Sequence, residues 1–403
     1  MKKFYFIAVG LCCTLSLYAQ RFPAGHYCNS ESGWNTKACK AVYGMKSEDK
    51  DKVIVVPHRG FWGAPGIPET SLAALQVAYD ANYMFCEIDL ILTKDKVLIL
   101  CHDQQPNRLT NAPPTFSADG GVEDPGNFFR SLNYKTTTDN SVPDANGNIY
   151  KTFPAIKDLC YRDRFGNVTP YRINTFDNAL DFCVNKDIVL ELDIKVTKMS
   201  DPIRKEEYLE AMRLTLSSAK QRNLLHKVIF KPGSAGKIPL SDVRNYLSKY
   251  NLWEDFANKT NVILIEIIGG KVPENYRAFI DEWLALPSLI GVEYIYKTLE
   301  DPLLVPRADF DNKSVVQYTK DKGIKTGVFH PMPTDKSGSH SGRGTYYNPP
   351  NHGVLDDLRG SLEFLFGVPK QVYPGILVTD RPDVDMDFLE LFDLNSRYSK
   401  RDF

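Results

Sequence analysis

Short apolar runs alternate with longer stretches of helical period along most of this chain. Strands are expected at residues 53–56, around Glu87, Ile88 and Asp89, and at 97–101, 188–196, 227–231, 262–267, 290–295, 324–329 and 375–378. Between them, apolar residues spaced three and four apart predict helices over 68–83, 174–184, 204–222, 240–250, 274–286, 315–322 and 355–366. Such an alternation builds a parallel sheet wrapped by helices. One connection is too short for that pattern. Residues 90–96 alone separate Asp89 from the next run, whereas a parallel crossover takes roughly a dozen residues, so a two-residue hairpin turning near Asp95 and Lys96 is expected there. Nine candidate strands with one absorbed in the hairpin leave eight. The fold class expected is α/β: a (β/α)8 TIM-type barrel, irregular, with an N-terminal extension and a long inserted loop.

Charged and imidazole side chains break the apolar pattern at strand ends, where a barrel presents its chemistry. The first run delivers His58, Arg59 and Gly60 behind Pro57. Glu87 and Asp89 are two apart in a strand and share one face, and two adjacent carboxylates repel unless a cation lies between them. A two-residue turn makes His102 face Glu87 or Asp89 across the hairpin. In the run 188–196, Glu191, Asp193 and Lys195 alternate onto a single face, an arrangement costly in a core unless the charges are paired or bound to a metal.

These residues, in this order, resemble a known family. His58-Arg59-Gly60, Pro68-Glu69-Thr70-Ser71, Glu87-x-Asp89, Thr93 with Asp95, His102-Asp103 and a closing Thr379-Asp380-Arg381-Pro382 are similar to the signature of the glycerophosphodiester phosphodiesterases, whose fold is related to that of phosphatidylinositol-specific phospholipases C. The resemblance implies that His58 and His102 carry acid–base catalysis. It assigns Arg59 and Lys195 to the phosphate, and Glu87, Asp89 and Asp193 to a metal. Asp193 stands where the family usually has glutamate, and Glu191, two residues deeper, is a rival ligand. Glu69 is expected to orient Arg59 or to join the metal shell. Family members usually carry asparagine where this chain has Thr70. An all-oxygen set suits one hard divalent cation, Mg²⁺ or Ca²⁺.

Composition sharpens the setting. Apolar content of 43% and charge of 25% are those of a globular chain, and the formal net charge of −1 becomes −3 once Lys2 and Lys3 are removed, so no nucleic-acid partner is expected. Lys2 and Lys3, the apolar run 4–18 and Ala19 read as a secretory signal peptide over 1–19. The run falls short of the roughly 20 residues of a spanning helix, so the chain is expected to be exported, periplasmic or secreted, without stable membrane insertion. Residues 20–52 form an extension in which Cys28 and Cys39 are the best candidates for a disulfide. The barrel is expected to span 53–395. Residues 104–172, with Pro113, Pro114, Gly120 and Gly121, read as a long insertion over the site, and 396–403 as a tail.

The function expected is hydrolysis of glycerophosphodiesters to an alcohol and glycerol 3-phosphate, the substrate being a small, lipid-derived phosphodiester. Two alternatives stand beside it: phospholipase C- or D-like cleavage of intact phospholipids or phosphoinositides, favoured by the large insertion, and an inactive barrel that binds lipid headgroups or glycans.

Overall fold

A computed structural model of the chain describes residues 22–46, 52–113, 129–137, 142–143, 149–150, 153–196, 199–233, 238–266, 272–331, 359, 362–367 and 374–400. The expected signal peptide, His340 and His352 lie outside these residues. The strands are β1 (Ile54–Pro57), β2 (Phe85–Leu92), β3 (Leu98–Leu100), β4 (Val142–Pro143), β5 (Ile149–Tyr150), β6 (Cys160–Arg162), β7 (Val168–Arg172), β8 (Val189–Ile194), β9 (Val228–Phe230), β10 (Asn261–Glu266), β11 (Leu289–Tyr294), β12 (Lys325–His330) and β13 (Ile376–Thr379).

One curled sheet runs in the order β1-β13-β12-β11-β10-β9-β8-β2-β3, and every pairing in it except β2 with β3 is parallel. Gly60 N–H donates to the Glu87 carbonyl at 3.1 Å and brings the end of β1 round to β2. The result is the irregular (β/α)8 barrel expected. Its strands were readable because a parallel strand is buried on both faces and so stays apolar along its length. Outward residues such as Val55, Ile88, Leu190 and Leu264 pack beneath the helices, while Ile54, Val56, Phe85, Val189, Ile229 and Ile263 fill the lower interior.

The extension closes that lower end. Cys28 and Cys39 are disulfide-bonded with Cα atoms 5.3 Å apart, and Phe22, Val42 and Met45 join the interior cluster of the strands. Cys86, Cys101 and Cys183 are buried free thiols.

One expectation needs correction, and the insertion carries elements of its own. The described part of the insertion is structured: β6 pairs with β7 and β4 with β5, while Leu109, Phe129, Leu132, Phe153, Ile156 and Tyr161 form a separate core against Ile91, Ile99 and Cys101 of the hairpin. The hairpin turn is one residue longer than predicted. Thr93 N–H donates to the Val97 carbonyl, Lys96 adopts a left-handed φ of 60°, and Leu90 pairs with Leu100. The Cys101 N–H therefore meets the Asp89 carbonyl, at 3.2 Å, in the place predicted for His102. This slip moves every hairpin residue to the other face of the ribbon.

Candidate active site

A tight turn follows β1. Arg59 and Gly60 both have left-handed backbones, with φ of 57° and 82°. Gly60 is required on two counts, since a Cβ there would lie 2.5 Å from that of Ala74. The turn points the Arg59 N–H at Glu87 Oε2, 2.8 Å away, and leaves His58 facing the barrel interior. His58 is packed 4.4 Å from the Phe329 ring, with Nδ1 2.7 Å from Asp380 Oδ1 and Nε2 3.8 Å from Glu87 Oε2. Burial, then the charge of Arg59, lowers its pKa to about 4 despite Asp380, so the ring is neutral at pH 7. An Nδ1–H donated to Asp380 leaves the Nε2 lone pair toward the acids.

The acids come from neighbouring strands in register: Glu87 lies beside Glu191 and Asp89 beside Asp193. Glu87, Asp89 and Asp193 each offer an oxygen within 4.8 Å of the others. Lys195 reaches between two of them, 3.0 Å from Asp89 and 2.5 Å from Asp193. Burial pushes the Asp89 carboxyl up, but Lys195, His102 and Arg59 outweigh it and hold the group below the usual carboxylate range. Burial and the Asp89 charge together push Glu87 well above it. Three oxygen donors, two of them buried and Asp193 partly exposed, fit a hard cation.

Thr70 braces this group. It is fully buried, donates to Asp89 Oδ2 at 2.9 Å and holds a φ of 47°, strained for a β-branched residue and easy for the asparagine usual in the resembling family. Glu69 accepts from Arg59 Nη1 at 2.8 Å, the orienting alternative of the two expected for it.

β3 ends at Leu100, and His102 reaches the site because the chain bends away from the ladder after it. Its Nδ1 lies 2.7 Å from Asp103 Oδ1, and the side chain is 31% exposed. Burial, then Arg59, lowers its pKa, with Asp89 and Asp103 opposing.

Glu191 is not grouped with the three acids. It faces Lys231 at 3.4 Å, which also meets Glu293 at 2.7 Å, and burial takes the Glu191 carboxyl up to about 7. Glu266 points outward to the Tyr276 hydroxyl, and His330 points outward to Asp385 at 2.7 Å.

Arg108 was missed from the sequence. It donates to both oxygens of Asp103, at 2.5 and 2.8 Å, and to both of Glu69, at 3.1 and 2.9 Å, and so ties the support of His102 to the support of Arg59. Asp380 and Asp103 were visible only as members of the motifs, without a role.

A sequence model of the glycerophosphoryl diester phosphodiesterase family matches residues 58–333. An uncharacterised protein of Sinorhizobium fredii is 27% identical over 197 residues, 47% of this chain and 45% of that protein. A glycerophosphodiester phosphodiesterase of Bacillus subtilis is 38% identical over 61 residues, 15% of this chain and 20% of that protein. The chain thus matches less than half the length of these curated relatives. The crystal structure of a glycerophosphoryl diester phosphodiesterase from Parabacteroides distasonis shares the fold, with a TM-score of 0.51 at 15% identity, covering 88% of this chain and 92% of that one.

Proposed function

The chain belongs to the glycerophosphoryl diester phosphodiesterase family, and from that premise we propose that it is an exported, metal-dependent hydrolase cleaving glycerophosphodiesters to an alcohol and glycerol 3-phosphate. The observation that carries this reading is the convergence of three carboxylates between two imidazoles, each oriented by its own aspartate.

Glu87, Asp89 and Asp193 would hold the ion, Mg²⁺ or Ca²⁺, and when bound it would supply positive charge to offset that of the diester. Lys195 and Arg59 complete that neutralisation from the protein. His58, neutral and with Nε2 turned toward the acids, takes a proton from the water whose oxygen forms the new bond to phosphorus as the bond to the alcohol oxygen breaks. His102, more exposed and flanked by Asp103 and Asp89, gives a proton to the leaving alkoxide, its affinity for that proton raised by the bound diester anion. Asp380 and Asp103 fix the two ring orientations. Export rests on the residue pattern of 1–19.

The test is direct. Purified protein is expected to release glycerol 3-phosphate from glycerophosphodiesters, to stop in excess chelator and to recover with Mg²⁺ or Ca²⁺. Full activity in chelator removes the metal from this account, and preference for an intact phospholipid over its deacylated diester replaces the substrate.

A further inference from the structure

The tip of the β6–β7 ribbon carries side chains that neither the core nor the proposed chemistry uses. Phe165 is 57% exposed at its apex, Val168 51% and Tyr171 41% along β7, and Pro170 is exposed between them. Arg162 and Arg164 flank the apex. Arg162 Nη1 is held on the Gly166 carbonyl at 2.7 Å, and the Arg164 guanidinium lies 5.3 Å from the Phe165 ring and 5.9 Å from that of Trp62. The carboxylate of the tip, Asp163, is turned inward, where it accepts the N–H groups of Phe165, Asn167 and Gly66 at 3.0, 2.9 and 3.0 Å. Arg172, further along β7, pairs with Asp158.

That last contact to Gly66 fixes where the tip sits. Gly66 belongs to the loop that leaves His58-Arg59-Gly60, and Trp62 of the same loop donates its indole N–H to the His58 carbonyl at 3.0 Å. Ala64 and Pro65, exposed in this loop, extend the apolar surface toward the barrel mouth. The apolar tip, the arginines and the catalytic turn therefore form one rim on the side of the barrel where the substrate enters.

We propose that this rim docks on an anionic lipid bilayer, with Phe165 and Val168 entering the interface and Arg162 and Arg164 meeting the lipid phosphates. Exposed aromatic and aliphatic side chains ringed by cations, with the nearest carboxylate turned inward, complement a negatively charged, half-apolar surface. No helix among the described residues is long and apolar enough to cross a membrane, and the docking proposed is a peripheral one. The proposal rests on the reading of the site as one for lipid-derived phosphodiesters and deepens it, naming the surface at which such substrates are met.

Co-sedimentation of the full chain with vesicles tests it. Binding is expected to phosphatidylcholine–phosphatidylglycerol vesicles, weakened by salt, and not to phosphatidylcholine alone. Phe165→Ser with Val168→Ser is expected to weaken that binding about tenfold or more, since two apolar side chains that the bilayer interface would cover are withdrawn, while turnover of a soluble glycerophosphodiester stays unchanged. Arg164→Gln is expected to reduce the preference for anionic vesicles. Equal binding of wild type and double variant, equal binding to both vesicle types, or binding to neither overturns the proposal. Loss of soluble turnover in the wild type is a separate failure, that of the enzymatic reading.

Discussion

At the floor of the barrel, Phe22, Met45, Ile54, Phe85 and Ile229 meet as apolar side chains under a disulfide-bonded extension. Two and four residues further along the same strands, the interior is occupied by Glu87, Asp89, Glu191, Asp193 and Lys231. The floor contributes to stability by removing apolar surface from water. The mouth gathers like charges that burial disfavours, and it stays intact because Arg59, Arg108, Lys195 and Lys231 are interleaved with the acids. A strand that changes from apolar to charged on its inner face is thus stable at one end and reactive at the other. Substitutions at the two ends should separate these properties.

The largest effect is expected at the mouth. His102→Asn, at a partly exposed position, should lower kcat by about 10³-fold, within the range for loss of a general acid, while the free energy of unfolding from urea titration stays within about 0.5 kcal/mol of wild type. Wild-type turnover in this variant would remove His102 from the chemistry. The converse belongs to the floor. Cys28→Ser with Cys39→Ser, which opens a link between residues 11 apart, should cost about 3 kcal/mol in stability, and kcat at a temperature where the variant is folded should be unchanged. A loss of kcat there would mean that the two ends are coupled through the strands. Arg108→Met is intermediate. It removes the bridge between Asp103 and Glu69 without touching the three acids, and kcat should fall about tenfold with KM little changed. Arg108→Lys should restore only part of it, because an ammonium cannot make the paired contacts of a guanidinium.

The two ends also differed in how far the sequence revealed them. The acids were legible because side-chain alternation in a strand is strict: once Glu87 and Asp89 were set in one run and Asp193 in another, their shared face followed. His102 was placed at the site by an argument that was wrong in detail. The turn has three residues with Lys96 left-handed, and lysine gives none of the glycine or asparagine signal by which such turns are recognised. Arg108 was invisible because it lies in sequence without period and its partner Glu69 is 39 residues away. The terminal helix Pro382–Leu391 was not anticipated, since Asp383 and Asp387 mask a buried face on which Asp385 lies beside Met386 and Leu389. Pro382 in its first turn was the signal available. The floor was the least legible region, because the extension is shaped by its disulfide and by the strands beneath it rather than by a repeat of its own.

The smallest effect expected concerns how the floor responds to acid. His26 is buried, stacks on Phe22 with ring centroids 4.4 Å apart, and its Nδ1 accepts the Cys28 N–H at 3.2 Å. Burial, then the charge of Lys46, lowers its pKa from 6.5 to about 4. A group with a lowered folded pKa contributes its full stability above the unfolded value and loses it as pH falls from there toward the folded one. Between pH 7 and pH 5.5, His26 should therefore reduce stability by about 1 kcal/mol. The first cause is the burial of the ring, and a proton placed on Nδ1 also removes the acceptor that the Cys28 N–H uses. His26→Asn keeps a side-chain acceptor and cannot take up the proton, so its urea midpoint should change less over the same interval than that of wild type. If the two titrate in parallel, the acid response of the fold resides elsewhere. His226, whose ring lies 4.2 Å from that of Tyr27 and whose pKa is lowered to about 3, chiefly by burial, is then the next group to substitute.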